Sequence, residues 1–170
     1  MCIRDSFWGR ALLVRPIARL GSAPLGVVEW NAESLWRRLY EGACANVTFF
    51  AEDAFGIPFG VRNAKIVQFD PETAELTELA TTLDGFAECL LNDIEFLTGA
   101  PVLSAWEHEH GAIEPGHRLV PKRPFLFGGE FRSANMVAKE DTTGMRVRAD
   151  LWRSTKNLPD GASVELRVVD

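Results

Sequence analysis

Cysteine is scarce in these 170 residues: Cys2, Cys44 and Cys89 are the whole supply. An odd number without paired spacing describes neither a disulfide framework nor a zinc site, and it suits a reducing compartment. Long apolar runs are missing too, since the longest extend a few residues where a membrane span needs about 20. Arg10, Arg15 and Arg19 interrupt the region where the apolar stretch of a secretory leader would lie. A cytoplasmic protein is the expectation. Also absent are G-x-S-x-G, H-E-x-x-H, G-x-x-x-x-G-K-[ST] and G-x-G-x-x-G, so the chain offers no motif for a nucleophile, a catalytic zinc, a nucleotide phosphate or a dinucleotide. No catalytic, metal or cofactor residue is therefore assigned, and the chain reads as a non-enzyme.

Basic charge is thin in one long stretch. Residues 46–100 hold ten acids against only Arg62 and Lys65, while residues 101–170 hold ten of each sign, within a net charge of −6. Such a distribution argues against nucleic acid or an anionic membrane as ligand, because both reward a basic face. It permits a basic protein partner drawn in by long-range attraction, and Asp70, Glu72, Glu75 and Glu78 are candidate partner-facing acids. The plainer alternative is that these carboxylates only solvate a surface.

What is present is ordinary for one globular domain: 46% hydrophobic and 25% charged residues. A chain of this length buries roughly 70% of its unfolded surface and needs no metal or disulfide staple. Residues 11–17, ALLVRPI, read as a strand that Pro16 confines to an end or edge. A turn at Pro24 and Gly26 leads through VVEW to Asn31, a candidate cap for a helix that buries Leu35, Trp36, Leu39 and Tyr40 and leaves Glu33, Arg37 and Arg38 to water. Residues 47–51, 64–69 and 74–79 read as strands of a meander, with EDAFGIPFG as a tight connection and Asp70-Pro71-Glu72-Thr73 as a turn.

A helix opened by Thr82 or Asp84 runs to Asn92 with Leu83, Phe86, Ala87, Leu90 and Leu91 on one face. Shorter helices follow over 94–97 and 101–110. Residues 124–131 suggest a buried strand and 136–139 a short one. A helix over 142–157 turns Met145, Ala149 and Trp152 inward, and a closing strand spans 162–169. Strands grouped in meanders with helices between them predict an α+β fold, a single domain built on a mainly antiparallel sheet.

Three local patterns carry potential chemistry. His108 and His110 sit two apart, so on a helix they point about 200° from each other and cannot share a metal; on a strand they would share a face, with His117 or Glu114 to complete a site, but the spacing of Val102, Leu103 and Trp106 favours the helix. Glu52-Asp53 is a carboxylate pair, but Asp53 ahead of Gly56 reads first as a side-chain cap on its own loop. Gly128-Gly129 could cradle a phosphate, yet without a following helix a tight turn or bulge is the better reading. Trp36, Trp106 and Trp152 fall on predicted helices, and one left partly exposed would make an interface anchor.

Taken in order, FFAEDAFGIPFG (49–60), IVQFDPETAEL (66–76), PKRPFLFGGEF (121–131), GMRVRADLW (144–152) and LPDG (158–161) resemble the SUKH superfamily, which includes bacterial immunity proteins and a fungal cell-wall-assembly regulator. The likeness covers residues 11–169. It implies a non-enzymatic α+β scaffold that binds and neutralises a toxin of interbacterial competition or, alternatively, regulates a cytosolic assembly or signalling complex. The resemblance makes Asp53, Phe55, Gly56, Phe125, Gly128 and Gly129 fold-defining and carries over no partner-contacting residue. The family's leading helix and following Asn-Gly turn have no counterpart here. Met1–Ser6, MCIRDS, is the in-frame translation of a transposon end used in sequencing-library preparation, so an adaptor scar is expected over residues 1–6, with the domain lacking its N-terminal part over 7–170.

Overall fold

The computed structural model describes residues 6–17 and 24–159. Six antiparallel strands form the main sheet in chain order: β1 (Ser6–Phe7), β2 (Leu12–Val14), β3 (Thr48–Glu52), β4 (Pro58–Arg62), β5 (Lys65–Phe69) and β6 (Leu76–Ala80). A separate two-stranded ribbon pairs β7 (His117–Pro121) with β8 (Met136–Glu140) in antiparallel register. The helices are α1 (Val27–Trp30), α2 (Leu83–Asn92), α3 (Ile94–Thr98), α4 (Ala100–His110) and α5 (Asp141–Thr155). The α+β class and antiparallel sheet follow the sequence expectation. The closing strand expected at 162–169 lies outside the described residues, as do Met1–Asp5.

The pleat distributes the core to both faces of the sheet. Phe49, Val67 and Phe69 pack with Trp30, Trp36, Tyr40, Met145 and Ala149 on one side. Ala51, Phe59 and Ile66 pack with Phe86 and Leu90 on the other. Phe49 and Ala51 are two residues apart and would share a face in a regular strand, but a register shift between them inserts Phe50 as a bulge and separates them. A third cluster, with Phe55, Leu103, Trp106, Leu119 and Met136, fills the space beneath the ribbon.

Several local expectations are corrected. The stretch read as a connection contains β4, because Pro58 opens a strand where its missing N–H costs least, pairing with Glu52. The β4–β5 hairpin turns at Asn63 and Ala64, both with positive φ. No regular helix follows Asn31. The backbone of Trp36 lies outside the helical region (φ −147°, ψ −24°), only Arg37–Tyr40 forms a short 3-10 turn, and Arg37, expected in water, is buried. The carbonyls of Val47 and Cys44 draw its guanidinium inward at 2.7 Å each, and Asn31 Oδ1 accepts at 2.8 Å. Asn31 is thus a clip rather than an N-cap. Its amide donates to Val27 O and Phe49 O, and its Oδ1 accepts from Phe49 N at 2.8 Å.

Thr82 caps α2, its Oγ1 accepting from Gly85 N at 3.0 Å, yet Leu83 and Leu91 are 62% and 70% exposed instead of inward. Residues 124–131 are not a strand: Pro124 and the double glycine fold them into a turn closed by Gly128 N to Phe125 O and Gly129 N to Pro124 O. A Cβ on Gly129 would lie 1.9 Å from Arg123 O, so only glycine fits there. Trp36 and Trp106 are buried, and Trp152 is the one left partly exposed, half-buried against Tyr40.

Replacing Asn31 by Ala strands the Phe49 amide and one Arg37 donor inside the protein. The expected cost is about 1–3 kcal/mol, read as a lower urea midpoint at an unchanged slope. A loss within a few tenths of a kcal/mol would contradict the clip.

Candidate functional site

The chemistry-bearing side chains converge where β2, β3, β7 and the start of α5 meet. Glu52, on β3, is fully buried and spans two arginines. Arg15 Nη2 donates to its Oε2 at 2.7 Å and Arg118 Nε donates to its Oε1 at 2.8 Å. The same Arg15 nitrogen reaches Asp141 Oδ2 at 2.9 Å. Arg15 follows β2, with its planar guanidinium 3.4 Å from the centre of the Trp30 ring, which accounts for its complete burial. Arg118 comes from β7 and Asp141 opens α5, so one carboxylate links elements far apart in the chain.

Asp53, the next residue, serves the backbone. Its Oδ1 accepts from Phe55 N at 2.9 Å and from Ile57 N at 2.8 Å, closing the turn between β3 and β4. Gly56 supplies the positive φ (+67°) of that turn, and a Cβ there would press on Arg118. Arg148 of α5 completes the arrangement by donating to Phe55 O at 2.8 Å and Gly56 O at 3.3 Å. The helix therefore holds the same loop that Asp53 closes from within. Phe55 lies edge-on to Phe125, which stacks with Phe131 at 3.8 Å, placing the Gly128-Gly129 turn against it.

Burial and charge set the proton affinities. Burial alone would raise the Glu52 carboxyl, but Arg15 and Arg118 together hold it below the ordinary value. For Asp53 burial wins over the two N–H donors and Arg148, and the carboxyl is pushed up to about 7. Asp141 is raised by burial and then by the negative Glu52 beside it, against the pull of Arg15. Tyr40, whose hydroxyl donates to Pro71 O at 2.9 Å, is raised by burial. Burial pushes the Cys44 thiol up to about 12, which keeps it protonated at neutral pH.

None of these carboxylates lines an opening. Two open depressions lie elsewhere, one of about 250 Å³ between Arg62, Lys65, Leu76 and Glu78, the other of about 350 Å³ around Arg123, Gly129 and Arg132. A general acid or base needs a proton path to a substrate, and Glu52 and Asp53 have only arginines and backbone amides before them. His108 and His110 lie on α4, where His110 stacks on Trp106 at 4.6 Å. Among the described residues no three His, Cys, Asp or Glu side chains converge as metal ligands.

The four candidate partner-facing acids do not form a set. Glu75 and Glu78 are exposed, with Glu78 paired to Lys65 at 2.7 Å, and Asp70 is half-buried, its Oδ1 accepting from Glu72 N. Glu72 is corrected outright. It is buried, and its Oε2 accepts from Leu126 N at 2.8 Å, pinning the 125–127 turn to the hairpin. Burial raises its pKa. Arg15, Arg118, Asp141 and Arg148 carried no signal in the sequence, because their partners are between 37 and 126 residues away.

No family model matches the chain, and no curated protein matches it. A solved structure, Atu4351 from Agrobacterium tumefaciens, is similar with a TM-score of 0.44 and 14% identity over 68% of this chain. The chain spans 63% of that protein's length.

Glu52→Gln leaves two buried guanidiniums short of charge and is expected to cost about 3–5 kcal/mol in denaturant unfolding. Asp53 has the opposite sign. The folded protein keeps its proton between pH 3.8, where the unfolded chain ionises, and about 7. Stability therefore falls as pH rises through that window, by at most about 1.4 kcal/mol per unit. Relative to Asp53→Asn, the wild type loses stability across it and runs parallel above. Parallel curves throughout would show that the Asp53 carboxyl has the same proton affinity in the folded and the unfolded chain, with no upward shift.

Proposed function

We propose that the chain is a non-catalytic protein-binding domain, a SUKH-like immunity protein that occupies and neutralises a toxin of interbacterial competition in the cytoplasm. The observation that carries the reading is the internal use of three buried carboxylates. Glu52, Asp53 and Asp141 each accept from an arginine or a backbone N–H and face no opening, as suits a rigid scaffold. The ordered blocks from Phe49 to Gly161 supply the family likeness. The acidic charge left in water on the middle of the chain suits a basic partner, as nuclease toxins are expected to be. Among the described residues no helix is long and apolar enough to cross a membrane.

The experiment is affinity capture with the tagged full chain in lysate of its own cells at low salt, followed by co-expression of the captured protein with and without it. The expected result is one stoichiometric partner, toxic when expressed alone and harmless beside this chain. Raising salt from about 50 to 300 mM should weaken the complex by tenfold or more, since screening removes long-range steering and surface pairing. A partner that is harmless alone would favour the regulatory scaffold. Turnover of a substrate lost on mutating Glu52 or Asp53 in a folded protein would overturn the non-catalytic reading.

A further inference from the structure

Helix α2 is seated off-centre. At about 100° per residue, Phe86, Leu90, Leu83, Ala87 and Leu91 form one apolar arc about 140° wide. The protein covers only one edge of it: Phe86 and Leu90 are 5% and 6% exposed, whereas Leu83, Ala87 and Leu91 lie in water. The covered arc is completed on its other side by Gly85 and Cys89. A Cβ on Gly85 would meet Ala80 of β6 at 3.5 Å, and Cys89 Sγ lies 3.7 Å from Leu79 O. The helix is seated on the sheet edge through this side, with Phe86 and Leu90 beneath it, and that seating leaves the leucine stripe facing outward. Helix α3 then adds Phe96, 79% exposed.

The polar surroundings are of one sign. Asp84 and Glu88 border the stripe on α2, and Asp93 and Glu95 follow it; all four are exposed and none makes an ion pair among the described residues. From Ile66 to His117 the chain contains no lysine or arginine at all. A second copy would set these acids against their own kind, and an anionic bilayer or nucleic acid would be repelled in the same way.

We infer that the outward stripe Leu83–Ala87–Leu91, with Phe96 and its acidic border, is the docking surface for a basic amphipathic segment of a partner protein, leucine-like side chains on the stripe and lysine or arginine over the acids. The inference deepens the protein-binding reading above and rests on it, by naming the surface and the partner's chemistry. It moves the interface from the Asp70–Glu78 hairpin to the helices that follow.

The test titrates the ¹⁵N-labelled full chain with a helical peptide carrying leucines on one face and lysines and arginines on the other. Amide shifts should concentrate in residues 82–97, with micromolar affinity that falls about tenfold between 50 and 300 mM NaCl. The triple change Leu83→Ser, Leu91→Ser, Phe96→Ser should weaken binding more than about tenfold without lowering the unfolding midpoint, because the side chains it trims are already in water. Val147→Ser, on the exposed face of α5, should leave affinity unchanged. Equal binding of a glutamate-bearing peptide, binding to phosphatidylglycerol vesicles, or dimerisation lost in the triple variant would each overturn the proposal. So would a peptide that does not bind. Shifts confined to the ribbon would refute this surface and leave the protein-binding reading standing.

Discussion

The ion bridge through Glu52 is the joint on which the architecture turns. Its two oxygens take Arg15 and Arg118 at 2.7 and 2.8 Å, and Arg15 passes on to Asp141 at 2.9 Å. One buried carboxylate thereby fastens the main sheet to the two-stranded ribbon and to the first residue of α5. Desolvating four charged groups is expensive, and such a set persists only when every member is paired. Exchanging all of it for apolar side chains could yield a more stable protein. What the charged version provides is a unique docking of ribbon on sheet, because a guanidinium and a carboxylate meet in few geometries while greasy surfaces meet in many.

The neighbouring loop depends on that docking. Asp53 closes it from inside, Gly56 gives it the left-handed backbone, and Arg148 reads its two outermost carbonyls from α5. The opposite signs of the two adjacent carboxyl shifts express the division of labour. Glu52, with cations on both oxygens, is kept ionised; Asp53, supplied mainly with amide dipoles, is pushed toward its neutral form. Adjacent acids with diverging pKa values are a familiar mark of acid–base enzymes. Here the divergence arises from packing, with both groups turned to the interior. The joint does not need α2 and α3, which lie beside β6 and carry Leu83, Leu91 and Phe96 in water.

Much of this was legible in the chain, for identifiable reasons. Short β-leaning runs bounded by turn residues located β3, β5 and β6, the Thr82 cap located α2, and the Asp53-to-Gly56 spacing located the tight turn, since each is a local signal of a few residues. Signals that depend on distant partners were not legible. Arg37 carries a charge that periodicity sends to water, yet the carbonyls of Cys44 and Val47 bring it inside and convert the expected helix into a 3-10 turn. Glu72 belongs by composition to an acidic surface, but the Leu126 amide claims it. Leu83 and Leu91 obey helical spacing, and which side of the helix rests on β6 is a tertiary fact. β7 carries no local strand signal among Gly111, Pro115, Gly116 and Pro121, and its ladder comes from pairing with the distant β8.

Native-state hydrogen exchange on the wild type and on Glu52→Gln tests the joint most directly. The account predicts that amides of the β7–β8 ribbon and of β3 open together in the wild type, with a common free energy close to that of global unfolding. In the variant the ribbon should open at a clearly lower free energy than β4 and β5. A ribbon protected to the same degree in both proteins would contradict the claim that the Glu52 bridge holds the two sheets together.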